Sequence, residues 1–131
     1  MKRKVVAPPS IFKSEAFGFS QGVLVKGGKK TLFISGQLAA NKKGEFVGGT
    51  FSKQCKMALD GIGAVLKGAG ATKGDVVKIT AYVTDMRGSI DEFTKLTKGW
   101  FSGGYPASTL VEVKGLAFPG QLIEIEAVAI L

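Results

Sequence analysis

The chain has 131 residues, 45% of them hydrophobic and 21% charged, the balance of a globular protein, and its length suits a single domain over residues 1–131 with one core. No apolar run approaches the ~20 residues that span a bilayer, and the basic start Met1-Lys2-Arg3-Lys4 leads into Val5-Val6-Ala7-Pro8-Pro9 rather than a signal-peptide core, so a cytoplasmic protein is expected. The formal net charge of +8 comes mostly from lysines scattered in ones and twos, with no aromatic residues interleaved, which argues for a solvated basic surface and against a nucleic-acid platform.

Two β segments are predicted first, Phe17 to Lys26 and Thr31 to Gln37, with Gly27-Gly28-Lys29-Lys30 between them as a hairpin turn. A looser stretch, Ala39 to Gly49, leads into a helix. There Phe51, Cys55, Ala58, Leu59, Ile62, Val65, Leu66 and Ala69 recur at helical spacing, with Lys53, Lys56, Asp60 and Lys67 opposite and Gly70 as the stop. Cys55 falls on the apolar stripe, which assigns it to packing. Asp75 to Thr84 alternates as a strand, with Val77, Ile79, Ala81 and Val83 on one side. Ser89-Ile90-Asp91-Glu92 reads as a capping box opening a second helix, whose stripe is Ile90, Phe93, Leu96, Trp100 and Phe101. Strands over Ser108 to Lys114 and Gln121 to Leu131, turning at Pro119-Gly120, complete the order β-β-α-β-α-β-β.

Two helices on one face of a mixed sheet make an α+β layer. Val111, Val113, Ile123, Ile125 and Ala127 are expected to face the helices, and Leu110, Tyr82, Leu122, Val128 and Ile130 the other side. That second face is too apolar for water, and association of subunits would cover it.

The chemistry open to the chain is narrow. It has no histidine and one cysteine, which removes the usual metal ligands, the Ser-His and Cys-His nucleophiles, and any intrachain disulfide. No site residue is assigned to a metal, and no glycine cluster matches a phosphate-binding loop. Acid-base work falls to Asp, Glu, Lys, Tyr or water. Glu124 and Glu126 stand two apart on one strand and share a face. Glu126 is taken as a solvated or ion-paired charge, whereas Glu124 either serves a site or pairs with a lysine of a neighbouring subunit. Ser35, with Gly36, either offers donors to a ligand or simply ends its strand. Ser108 and Thr109 offer hydroxyl groups, and Arg87 sits at a strand-helix turn.

Several stretches resemble the Rid (YjgF) family in the right order: Phe19-Ser20-Gln21, Phe33-Ile34-Ser35-Gly36-Gln37, Asp75-Val76-Val77-Lys78, Pro106-Ala107, Val111-Glu112-Val113 and Ile123-Glu124-Ile125-Glu126-Ala127. The resemblance implies a chorismate-mutase-like homotrimer with clefts between subunits. It also implies cofactor-free hydrolysis of enamine or imine intermediates such as 2-aminoacrylate to ammonia and a 2-keto acid. Ser35 and Gly36 match the substrate-contacting strand end, and Glu124 matches the glutamate that positions the attacking water. Three positions depart: Phe19 stands where active deaminases have tyrosine, Ser108 where they have the arginine that clamps the substrate carboxylate, and Leu110 where they have cysteine. All three are still expected to line the substrate cleft; Arg87 is expected at the surface, where it or a lysine replaces the missing cation only if its loop folds toward the cleft. Two other functions stay open, a non-catalytic ligand-binding or regulatory trimer and an endoribonuclease or translation-inhibitor-like protein.

Overall fold

The computed structural model describes residues 1–131. Its elements are β1 (Lys2–Val6), β2 (Gly22–Lys26), β3 (Thr31–Gln37), α1 (Phe51–Gly68), β4 (Val76–Val83), α2 (Met86–Phe101), β5 (Ala107–Glu112) and β6 (Ile123–Ile130). A 3₁₀ turn covers Glu15–Phe17 and another Lys73–Asp75. Four strands form a mixed sheet in the order β3-β6-β4-β5, antiparallel except for the β4–β5 pair. No helix is long and apolar enough to cross a membrane.

The sheet is built on β6. Ile123, Ile125, Ala127 and Ala129 are buried on its helix side and alternate with Glu124, Glu126, Val128 and Ile130. α1 lays Cys55, Ala58, Leu59, Ile62 and Leu66 into the same core, and α2 adds Phe93 and Phe101. Burial of Leu59, Ile62, Ile123 and Ile125 alone is worth about 1.5–3 kcal/mol each. Thr50 caps α1 by accepting from the Lys53 amide, and Gly70, at φ +73°, stops the chain beyond it. Burial pushes the Cys55 thiol up to about 12, so it packs as an inert small apolar group.

Five features of the fold differ from what the sequence leads one to expect. β1 is an additional strand, and it pairs with β2 to form a separate two-stranded ribbon. β2 and β3 therefore do not form the expected hairpin, and the stretch before Gly22 is a turn and loop rather than strand. α2 begins at Met86, not at Ser89, because Asp85 caps it by accepting from the Gly88 amide while Glu112 Oε1 accepts from the Met86 amide at 2.9 Å. An irregularity between Val76 and Lys78 turns Val76 into the core in place of Val77. Finally, Ser108 stands opposite Ile79 and Leu110 opposite Ala81, so both face the helices, while Val111 pairs with Tyr82 on the open face. The alternation of β5 is thus one residue out of phase with the expected one, and β5 ends at Glu112, before Val113.

One buried polar side chain ties these layers together. Gln54 Nε2 donates to the Gly49 and Gly120 carbonyls at 2.9 and 3.1 Å, and its Oε1 accepts from the Leu122 amide at 2.9 Å. It thereby fixes the loop that delivers the chain into β6. Replacing it, Gln54→Leu, leaves buried backbone groups unpaired and should cost about 2–3 kcal/mol, read as a fall in the urea midpoint with the slope unchanged.

Candidate functional site

Two places in the fold hold the residues singled out from the sequence. The first is on the open face of the sheet, where β3 meets β6. Ile34 pairs with Ala127 but Gln37 pairs with Ile125, so β3 carries one extra residue, a bulge at Ser35-Gly36. The bulge presses the backbone of Gly36 onto Glu124. A Cβ at residue 36 would lie 2.7 Å from the Glu124 Cδ and 2.9 Å from Oε1, so only glycine leaves the carboxylate where it is. Ser35 is exposed beside them and Glu124 is half-buried.

The neighbouring carboxylate is committed elsewhere. The Tyr82 hydroxyl donates to Glu126 Oε1 at 2.7 Å, and that bond raises the Tyr82 pKa. Lys78 Nζ donates to Thr109 Oγ1 at 2.6 Å on the same face. The two glutamates thus share a face, as expected from their spacing, but differ in role: Glu126 is tied into a polar row across β4, and Glu124 stands against a glycine backbone.

The second place is on the helix side of β5. A cavity of about 380 Å³ opens there between β5, α2 and the segment before β2. Phe19, Ser108 and Leu110 line it, together with Phe12, Phe17, Gly18, Ile90, Phe93, Thr94 and Thr97. None of these residues is charged. Thr97 Oγ1 is already satisfied by donating to the Phe93 carbonyl at 2.8 Å, which leaves Ser108 and Thr94 as the hydroxyl groups available to a ligand. Arg87 is exposed in the first turn of α2 and is not among the lining residues, although it lies on the same helical stripe as Ile90, Thr94 and Thr97.

Phe12, Phe17, Thr94 and Thr97 join the site without a sequence signal that singles them out, and Ile90, expected in the core, is exposed toward the cavity. The nearest to such a signal is the i, i+4, i+7 spacing of Ile90, Thr94 and Thr97 beside the core stripe of α2. The aromatic pair contacts of Phe12 with Phe17 and Phe19 come from an irregular segment and had no periodic signal.

One protomer does not bring the two places together. β3 and β5 are opposite edges of the sheet, three strand spacings or ~14 Å apart, and Ser108 and Glu124 point to opposite faces. Nor does either place gather metal ligands: no group of three or more His, Cys, Asp or Glu side chains is close enough to hold an ion.

Residues 13–131 match the family described as Endoribonuclease L-PSP. The chain is 36% identical over 113 residues to the human protein named 2-iminobutanoate/2-iminopropanoate deaminase, covering 86% of this chain and 79% of the relative. Among solved structures it is similar to YyfB of Yersinia pestis, a Rid-family protein, with a TM-score of 0.91 at 37% identity and full coverage of both chains. A Mycobacterium tuberculosis member of the YjgF/YER057c/UK114 family superposes with a TM-score of 0.69 at 31% identity, covering 99% of this chain and 100% of that one. With its mixed sheet, its two helices and these matches along nearly its full length, the chain belongs to the Rid (YjgF) family.

Proposed function

We propose that the chain is a hydrolase of small imines and enamines, working as a homotrimer with its cleft between subunits. The observation that carries this reading is the Glu124 carboxylate held against the Gly36 backbone beside Ser35, in a chain similar to a protein named as an imine deaminase. The reaction needs no cofactor. Glu124 takes a proton from water as the water oxygen attacks the carbon of the protonated imine, whose C=N π electrons move to nitrogen and leave a neutral amine. The carbinolamine then collapses: Glu124 returns its proton to the amine, the C–N bond breaks as ammonia leaves, and the hydroxyl gives its proton to the freed Glu124 carboxylate, which passes it to the departing ammonia as the ketone forms. Ser35 and the Gly36 amide supply donors at the reacting end, and Phe19, Ser108 and Leu110 receive the organic group.

The wall of the cavity sets the preference. A guanidinium clamps a carboxylate through two directed bonds, and losing a desolvated pair of that kind costs ~2–5 kcal/mol. Ser108 supplies one hydroxyl in its place. Substrates without a carboxylate, or with an apolar group, suit this lining better than 2-aminoacrylate. The uncharged wall is equally the observation that favours the second reading, a trimer that binds a small neutral ligand without chemistry. Ordinary acid-base RNA cleavage has no histidine to use.

Ammonia release from freshly generated imines separates these readings, and its absence with every imine tried, alongside measurable ligand binding, would favour the second. For the catalytic reading, Glu124→Gln should lower the rate about 10²–10⁴-fold with assembly intact, and Glu126→Gln should leave it nearly unchanged. Gly36→Ala should fold and yet lose rate in the same direction, because its methyl group displaces the carboxylate. Full activity in Glu124→Gln would remove the residue from the mechanism.

The clamp is tested separately. Ser108→Arg should raise kcat/KM for 2-aminoacrylate by one to three decades, on the order of a restored 2–5 kcal/mol pair less the strain of inserting it. Wild-type turnover of that substrate matching an arginine-bearing relative, and abolished by Arg87→Ala, would assign the clamp to Arg87 instead.

A further inference from the structure

The β1–β2 ribbon and the outer edge of β3 are two unfinished parts of one sheet. β2 is paired only with β1, and β3 only with β6, so each presents a row of free backbone donors and acceptors. A two-stranded ribbon by itself is marginal in water. The two free edges also carry the most exposed apolar side chains of any strand, Leu24 at 59% and Phe33 at 76%.

The connection between them is a hinge. The Lys29 and Lys30 amides both donate to the Leu131 carbonyl, so these residues extend β3 and leave only Gly27-Gly28 between it and β2. Gly27 has φ +79°, and Gly28 lies so close to Ile130 that a Cβ there would overlap its side chain. Instead of folding back, the ribbon crosses the end of the sheet. Arg3 Nη1 donates to the Gly74 carbonyl at 2.7 Å, and Ser20 bridges to Ala107 at the start of β5. Strands adjacent in sequence, both with free edges and held apart by a two-residue hinge, are the elements from which identical chains exchange a segment.

We infer that the β1–β2 ribbon of each copy completes the sheet of a neighbouring copy, with β2 lying antiparallel along the neighbour's β3. Pairing that begins with Lys26 beside Thr31 sets Leu24 opposite Phe33 and Gly22 opposite Ser35. Both exposed apolar side chains are then covered by each other. Phe19, just upstream of Gly22, stays in the cavity with Ser108 and Leu110 of its own chain. The exchanged strand therefore draws the neighbour's Ser35, Gly36 and Glu124 to the mouth of that cavity, and the site is incomplete without the second copy. This functional consequence rests on the deaminase reading above, whereas the strand exchange itself does not.

Cross-linking tests it on the full chain. The double variant Leu24→Cys/Phe33→Cys is treated with a short bismaleimide that spans both direct and diagonal cross-strand neighbours, ~5–8 Å apart. Cys55 is fully buried and does not compete. Exchange predicts covalent dimers and trimers on a denaturing gel. A link within one chain means that β2 folds back on its own β3, and no link means that the edge is not covered by β2; either result overturns the proposal. Tagged Leu24→Cys chains refolded with untagged Phe33→Cys chains give a second measurement with a single change per chain, in which a tagged–untagged conjugate is expected and its absence is fatal. Failure of both with Glu124-dependent ammonia release intact sinks the exchange alone. Conjugates together with no deamination of any imine sink the deaminase reading alone.

Discussion

β6 is paired on both sides along its length, with β3 and with β4, and nearly every feature of the molecule is referred to its register. A slip of one residue would carry Glu124 and Glu126 into a core made of Ile123, Ile125, Ala127 and Ala129, and expose those four to water. Burying two unpaired carboxylates is costly enough to exclude that alternative. The register is held from within by the apolar alternation and from outside by Gln54, which receives the Leu122 amide just before the strand begins. Only with β6 held in this register does a glutamate side chain, that of Glu124, lie against the Gly36 backbone at the bulge.

The same sheet separates what the site needs to join. Its polar chemistry sits on the open face between β3 and β6, and its apolar cavity sits under β5 against α2. A parallel β4–α2–β5 unit necessarily places its helix over one face, so residues on that side of β5 cannot also look across the open face. On the proposed reading, association of subunits is the physical means of bringing Glu124 to an organic ligand in that cavity.

How much was legible in the sequence follows from which elements are governed by periodicity. α1 and β6 carry unbroken patterns and were readable to within a residue or two. Glu124 and Glu126 could be placed on one face by counting alone. β1 could not be read, since Lys2-Arg3-Lys4 carries no apolar side chain, its one half-buried side chain being Arg3, and it is a strand only because β2 pairs with it. The start of α2 was misplaced because Ser89 to Glu92 offers a plausible cap, and the cap that prevails, Asp85, is helped by Glu112 from a distant strand. β5 was assigned out of phase because Ser108, Thr109, Leu110 and Val111 do not alternate cleanly. Its orientation comes from pairing with β4, a tertiary fact. The open β2–β3 connection was likewise invisible, because Gly27-Gly28 suits a tight turn as well as a hinge.

The electrostatics of the chain separate attraction from orientation. A net charge of +8 on a small protein draws anions toward it at long range, and that field is strongly screened beyond about 10 Å at moderate salt. A carboxylate substrate would thus arrive readily. On arrival it meets a cavity of phenylalanine, isoleucine, leucine, threonine and serine side chains, in which no cation replaces the water it must shed. Desolvating a carboxylate without a paired cation is unfavourable by several kcal/mol, while burying a methyl or phenyl group there gains about 25 cal/mol per Å². The lining therefore rewards the apolar part of a ligand, and a ligand's charge is better left outside it. On the proposed reading, a substrate with its imine at the Glu124 end and its bulk in the cavity satisfies both demands without any guanidinium.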